Sequence, residues 1–398
     1  MKKLIRYLGP GVITAALVFG PGSLTVTSKL GASFGYQHIW IILVAISFMV
    51  VFTEMGARIG IATDGSLLDL IRKKWGSPAA LLLGVGIFLI TASFQAGNTI
   101  GASLAFSELF HTPREPWLIT FTLVGLSLLF FKSFYKVLEK LMIALVGLML
   151  VSFFVTLILA KPNINSLFTG LVPRIPAGSE MLSIALVASS FSIVGAFYQG
   201  YLVKEKGWTS GEMKEGTREA IAGVLVLGTI SLFILVNAAA ILFPQGIEVK
   251  SATNMGNALQ PLYGNTATII FMLGLFGASF SSLIGNATIG GSLLADGLGL
   301  GKHLDSKAVR IMIMLVMVFG ATIAMIFGNL PLDLIIFAQA ITIILAPLVG
   351  FALMVIANDS QQMGEFKNTT WNNLAGFAGW FLLFSLSIIQ VYLLFLKK

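Results

Sequence analysis

Residues 9–36 read GPGVITAALVFGPGSLTVTSKLGASFGY, an apolar stretch of membrane-spanning length with Gly20-Pro21-Gly22-Ser23 at its middle. A helix needs about 20 apolar residues to cross a bilayer core. Proline removes a backbone donor, and the flanking glycines relax the chain around it. Backbone groups freed at that depth are tolerated only where protein or a watery cavity satisfies them. Helices broken at the midplane are typical of transporters built from inverted repeats, in which half-helix ends bind the cargo. A plain proline kink is the competing reading.

The rest of the chain supports a membrane setting. Of its 398 residues 57% are apolar and only 11% charged, against about 25% charged in soluble domains, and the mean hydropathy is +0.93. Eleven spans are expected, near 10–35, 39–62, 79–107, 116–132, 137–160, 181–203, 219–243, 266–295, 308–328, 331–357 and 373–396. They follow one another closely enough to make residues 1–398 a single all-α transmembrane domain. The segment 162–179, with Pro162, Pro173 and Pro176, reads as an exposed loop, and 250–263 as an extramembrane loop with a short helix. Met1-Lys2-Lys3 and Arg6 make a basic start, but the apolar run that follows is interrupted and lacks a cleavage site, so the first segment is expected to be retained.

Charge orders the spans. With the N-terminus inside, 17 basic residues fall in inner segments: Lys2, Lys3, Arg6, Arg72, Lys73, Lys74, Lys132, Lys136, Lys140, Lys204, Lys206, Lys214, Arg218, Lys302, Lys307, Arg310 and Lys367. Six fall outside: Arg114, Lys161, Arg174, Lys250, Lys397 and Lys398. Lys29 and Arg58, within spans, complete the 25. This asymmetry predicts a cytoplasmic N-terminus and an external C-terminus; the plasma (inner) membrane is the expected location. The net charge of +8 is scattered between apolar runs, which is topology and not a nucleic-acid surface. The expected partners are the lipid bilayer and a small-molecule or ion cargo, with no obligatory protein partner. Cysteine is absent, which excludes disulfides, thiolate metal sites and cysteine nucleophiles. No intramembrane pairing of carboxylates, histidine cluster or nucleophile with a base is found, so no catalytic residue and no cofactor is assigned.

A second interruption is expected in the sixth span, at Ser189-Ser190-Phe191-Ser192-Ile193-Val194-Gly195, followed by Tyr198, Gln199 and Gly200. It lacks proline, and its serines can also bond back to their own helix. In the eighth span Gly277, Ser281 and Gly285 recur every four residues, which predicts close helix packing. Glu54 stands four residues before Arg58, the spacing of an ion pair, and Asp296 lies near the inner end of the eighth span as an expected cap or loop contact.

The stretch 9–36 resembles the first helix of the NRAMP family of metal-ion transporters, from its opening Gly-Pro-Gly to its closing Gly-x-x-Phe-Gly-Tyr. ARIGIATDGSLLDLIRKKWG at 57–76 is similar to that family's second helix and following loop. FILVNAAAILF at 233–243 and FGASFSSLIGNATIGGSLLADGLG at 276–299 are similar to its seventh and eighth helices. The resemblance implies a LeuT-type fold, with two inverted five-helix repeats (about 1–160 and 181–357), broken first and sixth helices, and an extra helix near 373–396.

The same resemblance exposes what is missing. The family's Asp-Pro-Gly-Asn aligns with Gly20 and Ser23 in place of the Asp and Asn, and its Met-Pro-His falls on Ser192, Ile193 and Val194. A second histidine of that helix falls on Gln199, and the acidic residues of the third helix, tied to proton movement, fall on Gln95 and Asn98. Mn²⁺ or Fe²⁺ wants carboxylate, imidazole or thioether ligands, and hydroxyls alone leave a dication uncompensated in a low-dielectric site. The candidate cargo site is therefore Gly20, Ser23, Ser189, Ser192, Gln199, Gln95 and Asn98, with no metal ligand assigned. Lys29, two turns beyond the break, repels an entering cation or snorkels to the surface. Two cargo classes follow: an inorganic cation, as the family implies, or a small polar, zwitterionic or anionic organic solute. A transport-inactive scaffold is a third reading, which the preserved broken helix argues against.

Overall fold

The computed structural model describes residues 9–249, 264–327 and 332–393. The basic start (Lys2, Lys3, Arg6), the expected 250–263 loop with Lys250, and Lys397 and Lys398 lie outside them. The first span is two helices, α1 (Pro10–Val18) and α2 (Pro21–Phe34), bent by 64°. Phe19 and Gly20 between them are extended, with φ −86° and −114°. Pro21 opens α2, where its fixed φ suits the first turn and its missing N–H is no loss.

The other described helices are α3 (Ile39–Ala62), α4 (Leu67–Trp75), α5 (Ser77–Phe110), α6 (Arg114–Leu128), α7 (Phe134–Ala160), α8 (Ile164–Thr169), α9 (Glu180–Ser190), α10 (Ile193–Lys206), α11 (Met213–Ile241), α12 (Asn265–Gly297), α13 (Lys307–Phe327), α14 (Leu332–Ala357), α15 (Ser360–Met363) and α16 (Thr370–Val391). Among the described residues eight helices, with α9 and α10 taken as one 27-residue span, are long and apolar enough to cross a membrane, and the two sharply bent pairs raise this to ten. The difference from the expected eleven is α6. Its 15 residues reach only about 22 Å, short of a full bilayer core. The 162–179 loop contains α8, which Asn163 caps by accepting from the N–H groups of Asn165 and Ser166 at 3.0 and 3.3 Å.

The sixth span breaks at Phe191 and Ser192 by a different device. Ser192 is the N-cap of α10, and its Oγ accepts from Gly195 N–H at 3.3 Å. A serine cap replaces the proline of the first break.

At the centre α12 packs along α5, α7, α13 and α1. The Gly277-Ser281-Gly285 stripe lies at these contacts. A side chain at Gly277 would meet Met149 and the Leu145 carbonyl of α7 at 3.1–3.2 Å, one at Gly285 would overlap Leu17 of α1, and Ser281 Oγ donates to the Ala16 carbonyl at 3.0 Å. Apolar helices gain little by burying greasy surface from lipid, so such close backbone approach and inter-helix hydrogen bonds supply the association.

The end that carries most basic residues is strapped by α4. Ser66 and Asp69 form a reciprocal capping box at its start. Burial pushes the Asp69 carboxyl up, but its bonds to Lys302 and to Ser66 outweigh this and hold it below its ordinary value. Arg72 pairs with Asp69 at 2.6 Å, Lys302 with the same carboxylate at 3.0 Å, and Arg72 also donates to the Asp296 carbonyl. The Asp296 carboxylate is 3% exposed and accepts from Tyr201 Oη of α10 at 2.6 Å, while Leu68 N–H donates to that same Oη. The expected cap or loop contact is thus a buried junction of α4, α10 and α12. Glu54 and Arg58 pair at 3.4 Å, and Arg58 also donates to the Phe366 carbonyl and to Asn368 Oδ1.

Candidate functional site

Where the two interrupted helices meet, a cavity of about 470 Å³ opens against the middle of α5, with α12, α13 and α14 completing its wall. Gly20 enters this wall because the chain is extended there and no side chain intervenes. A Cβ at Gly20 would stand 2.8 Å from Ser282 Oγ and 3.2 Å from Asn98 Oδ1. Close approach, not a left-handed backbone, favours glycine here.

Four of the seven candidate residues line the cavity: Gly20, Ser189, Ser192 and Asn98. Ser189 Oγ donates to the Leu186 carbonyl of its own helix, and Asn98 Nδ2 donates to the Ser282 carbonyl at 3.2 Å. The other three are not in the wall. Ser23 is buried, and its Oγ reaches back to the Val18 carbonyl at 3.4 Å across the break. Gln95 is turned toward α12, where its Nε2 donates to the Leu283 carbonyl at 2.7 Å, and its flank packs on Gly320 of α13. Gln199 accepts from Thr14 Oγ1 and so ties α10 to α1 below the cavity. All three enter the candidate site through the family resemblance; Gln95 and Gln199 lie in inter-helix seams, and Ser23 folds back across the break of its own span.

Thr91, Ser93, Asn286 and Thr342 also line the cavity and were not anticipated. Thr91 and Ser93 hydroxyls donate to carbonyls one turn back. Asn286 was legible: a lone amide in a long apolar helix is a functional candidate on cost alone.

Among the described residues of the wall there is no Asp, Glu, Lys, Arg, His or Met. Nor does any group of three or more His, Cys, Asp or Glu that could hold a metal occur among the described residues. His38 is buried outside the spans beside Ser179 Oγ at 3.2 Å, and burial lowers its pKa to about 4. His111 caps α5, and His303 stands exposed 3.4 Å from Glu205.

Comparison with known proteins places this geometry. The family model described as natural resistance-associated macrophage protein-like matches residues 11–395. A divalent metal cation transporter, MntH, of Deinococcus radiodurans is 26% identical over 382 residues, 92% of this chain and 84% of the relative. The MntH of Listeria monocytogenes is 24% identical over 412 residues, covering 99% and 90%. Among solved structures, the Eremococcus coleocola manganese transporter superposes with a TM-score of 0.77 at 20% identity, covering 98% of this chain and 87% of that one. A nucleobase-cation-symport-1 family transporter reaches 0.61 at 13% identity, covering 97% and 93%. The all-helical fold with broken helices is shared with these transporters.

Proposed function

The chain belongs to the natural resistance-associated macrophage protein-like (Nramp) family of transporters, and from that premise we propose that its central site no longer holds a transition-metal ion. One observation carries the reading: at Gly20, which the resemblance to the family's Asp-Pro-Gly-Asn puts in place of the carboxylate, Ser282 and Asn98 stand close around the backbone. A Cβ added there meets the Ser282 hydroxyl at 2.8 Å, so a carboxylate at this position requires Ser282 to move.

The charge argument points the same way. A buried dication needs compensating ligands, and each tenfold loss of affinity is only about 1.4 kcal/mol. Removing a carboxylate and a thioether together costs several such factors. Gln95 and Asn98 cannot ionise, so the acidic relay of the third helix has no counterpart at these positions. Several relatives are transporters of divalent metal cations or manganese by name, which is the competing reading for this chain. A cavity of about 470 Å³ favours an organic solute instead, because it falls in the range of about 300–1,000 Å³ usual for small-molecule sites.

Calorimetry of the purified protein with Mn²⁺ tests this directly. The parent is expected to show no micromolar binding. A triple variant, Gly20→Asp with Ser23→Asn and Ser282→Gly, restores the carboxylate and amide and clears their space, and is expected to gain it. Micromolar Mn²⁺ binding by the parent, lost on filling the cavity with Ser192→Leu, would falsify the proposal.

A further inference from the structure

The polar groups of the cavity specify what can be held there. Resting on the reading that this site is free of metal, we infer that its ligand is a neutral organic solute with an apolar body and one amide-like edge, carrying a hydrogen-bond donor beside an acceptor.

Ions are disfavoured first. No described residue of the wall is charged, and an ion buried without a counter-charge loses its hydration uncompensated. The wall is mostly aliphatic and aromatic, with Leu17, Ile90, Phe94, Phe191 and Ile289 among its members. That suits an apolar body.

A zwitterion is disfavoured by the carbonyl end of α1. An ammonium group would need acceptors there and would have to share them with the hydroxyls already bonded to them. Ser281 donates to the Ala16 carbonyl at 3.0 Å, Ser282 lies 3.4 Å from the Ala16 and Leu17 carbonyls, and Ser23 donates to that of Val18. Phe19 N–H takes the Ala15 carbonyl.

The donor requirement excludes a carboxylate. Asn98 is 3% exposed, lines the cavity and spends its Nδ2 on the Ser282 carbonyl. Turning the amide over would set two acceptors face to face, so its orientation is fixed. Its Oδ1 is left beside Gly20 with no donor among the described residues, and asks for an N–H or O–H from the ligand. The acceptor requirement comes from two neighbours. The α2 start has no side-chain cap, which leaves the Gly22 and Ser23 N–H groups without a helical acceptor. Asn286, half-buried in the wall, makes no hydrogen bond among the described residues. It stands one turn from Ser282, whose carbonyl Asn98 bonds, and both amides line the same cavity. A primary or secondary amide, urea or lactam meets both demands; a carboxylate meets only the second.

The test is calorimetry on the purified full chain with four probes that share a benzyl body: phenylacetamide, phenylacetate, phenethylammonium and phenylalanine. Phenylacetamide is expected to bind at least about tenfold tighter than the others, a difference of about 1.4 kcal/mol. Asn286→Leu is expected to weaken it about tenfold with an unchanged melting temperature, since Asn286 makes no hydrogen bond among the described residues. Equal or tighter binding of a charged probe, no binding of the amide at millimolar concentration, or an Asn286→Leu variant that binds as the parent does, each overturns the assignment. These outcomes leave the metal-free reading standing; only the Mn²⁺ titration removes that one.

Discussion

At the scale of single residues, the two serines at 23 and 192 illustrate how a site is and is not read from sequence. Both stand three or fewer residues from a helix break, yet Ser192 faces the cavity and Ser23 folds back on Val18. The chain has no cysteine, so single cysteines report access without background. Ser192→Cys and Ser189→Cys are expected to react with a small thiol reagent in the native protein, and Ser23→Cys and Gln199→Cys to stay protected. Equal labelling of all four would dissolve the distinction drawn between them. Gly20 was legible because proline and glycine act on their own backbone, whereas the rotation that carries Gln95 out of the wall depends on α12 and α13. His38 gives a pH prediction. Its pKa is about 4 in the folded chain against about 6.5 unfolded, so the unfolded state binds more protons between these values. Its contribution is full above about pH 6.5 and is lost as pH falls toward 4. The melting temperature in detergent is expected to fall over that window, and to fall less in His38→Gln.

Among the elements, the two breaks differ in how openly the sequence declares them. Gly-Pro-Gly announces the first, and the 64° bend follows from covalent geometry. The second rests on a serine cap that becomes decisive only once Gly195 N–H is in reach, so Ser-Phe-Ser was a weaker signal. The strap α4 was announced by its capping box, Ser66 to Asp69, although the similarity at 57–76 suggested no more than a loop there. Its anchorage on Tyr201 and Asp296 was not readable, because those residues lie more than a hundred positions away. Tyr201→Phe removes the hydroxyl that bonds a buried carboxylate at 2.6 Å. Hydrogen bonds to charged groups are worth about 1.5–3 kcal/mol, and the variant is expected to melt several degrees lower. A melting temperature equal to the parent's would mean that the strap bears no part of the fold.

For the molecule as a whole, composition and span spacing were enough to indicate an all-α membrane protein, since no other solvent tolerates so few charges. Orientation is a prediction from the basic residues: with α6 crossing the membrane despite its length as the eleventh span, cysteines at positions 2 and 398 are expected to be labelled from opposite faces, and labelling from one face would break the odd span count. Residues up to about 160 are likewise expected to superpose on 181–357 after a half-turn in the membrane plane; failure of that superposition in an experimental structure would end the repeat reading. One feature of the basic end bears on the solution around it. The strap's outer pairs stand in water, with Arg72 and Asp69 each 26% exposed and Lys302 37%, so each is worth about 0–1 kcal/mol. Dissolved salt screens such pairs over about 8 Å at physiological strength. Added salt is thereby expected to weaken these outer pairs, while the buried bonds to Tyr201 and Asp296 are screened much less. A compartment that loses water and concentrates its salts loosens the strap before it disturbs any buried contact.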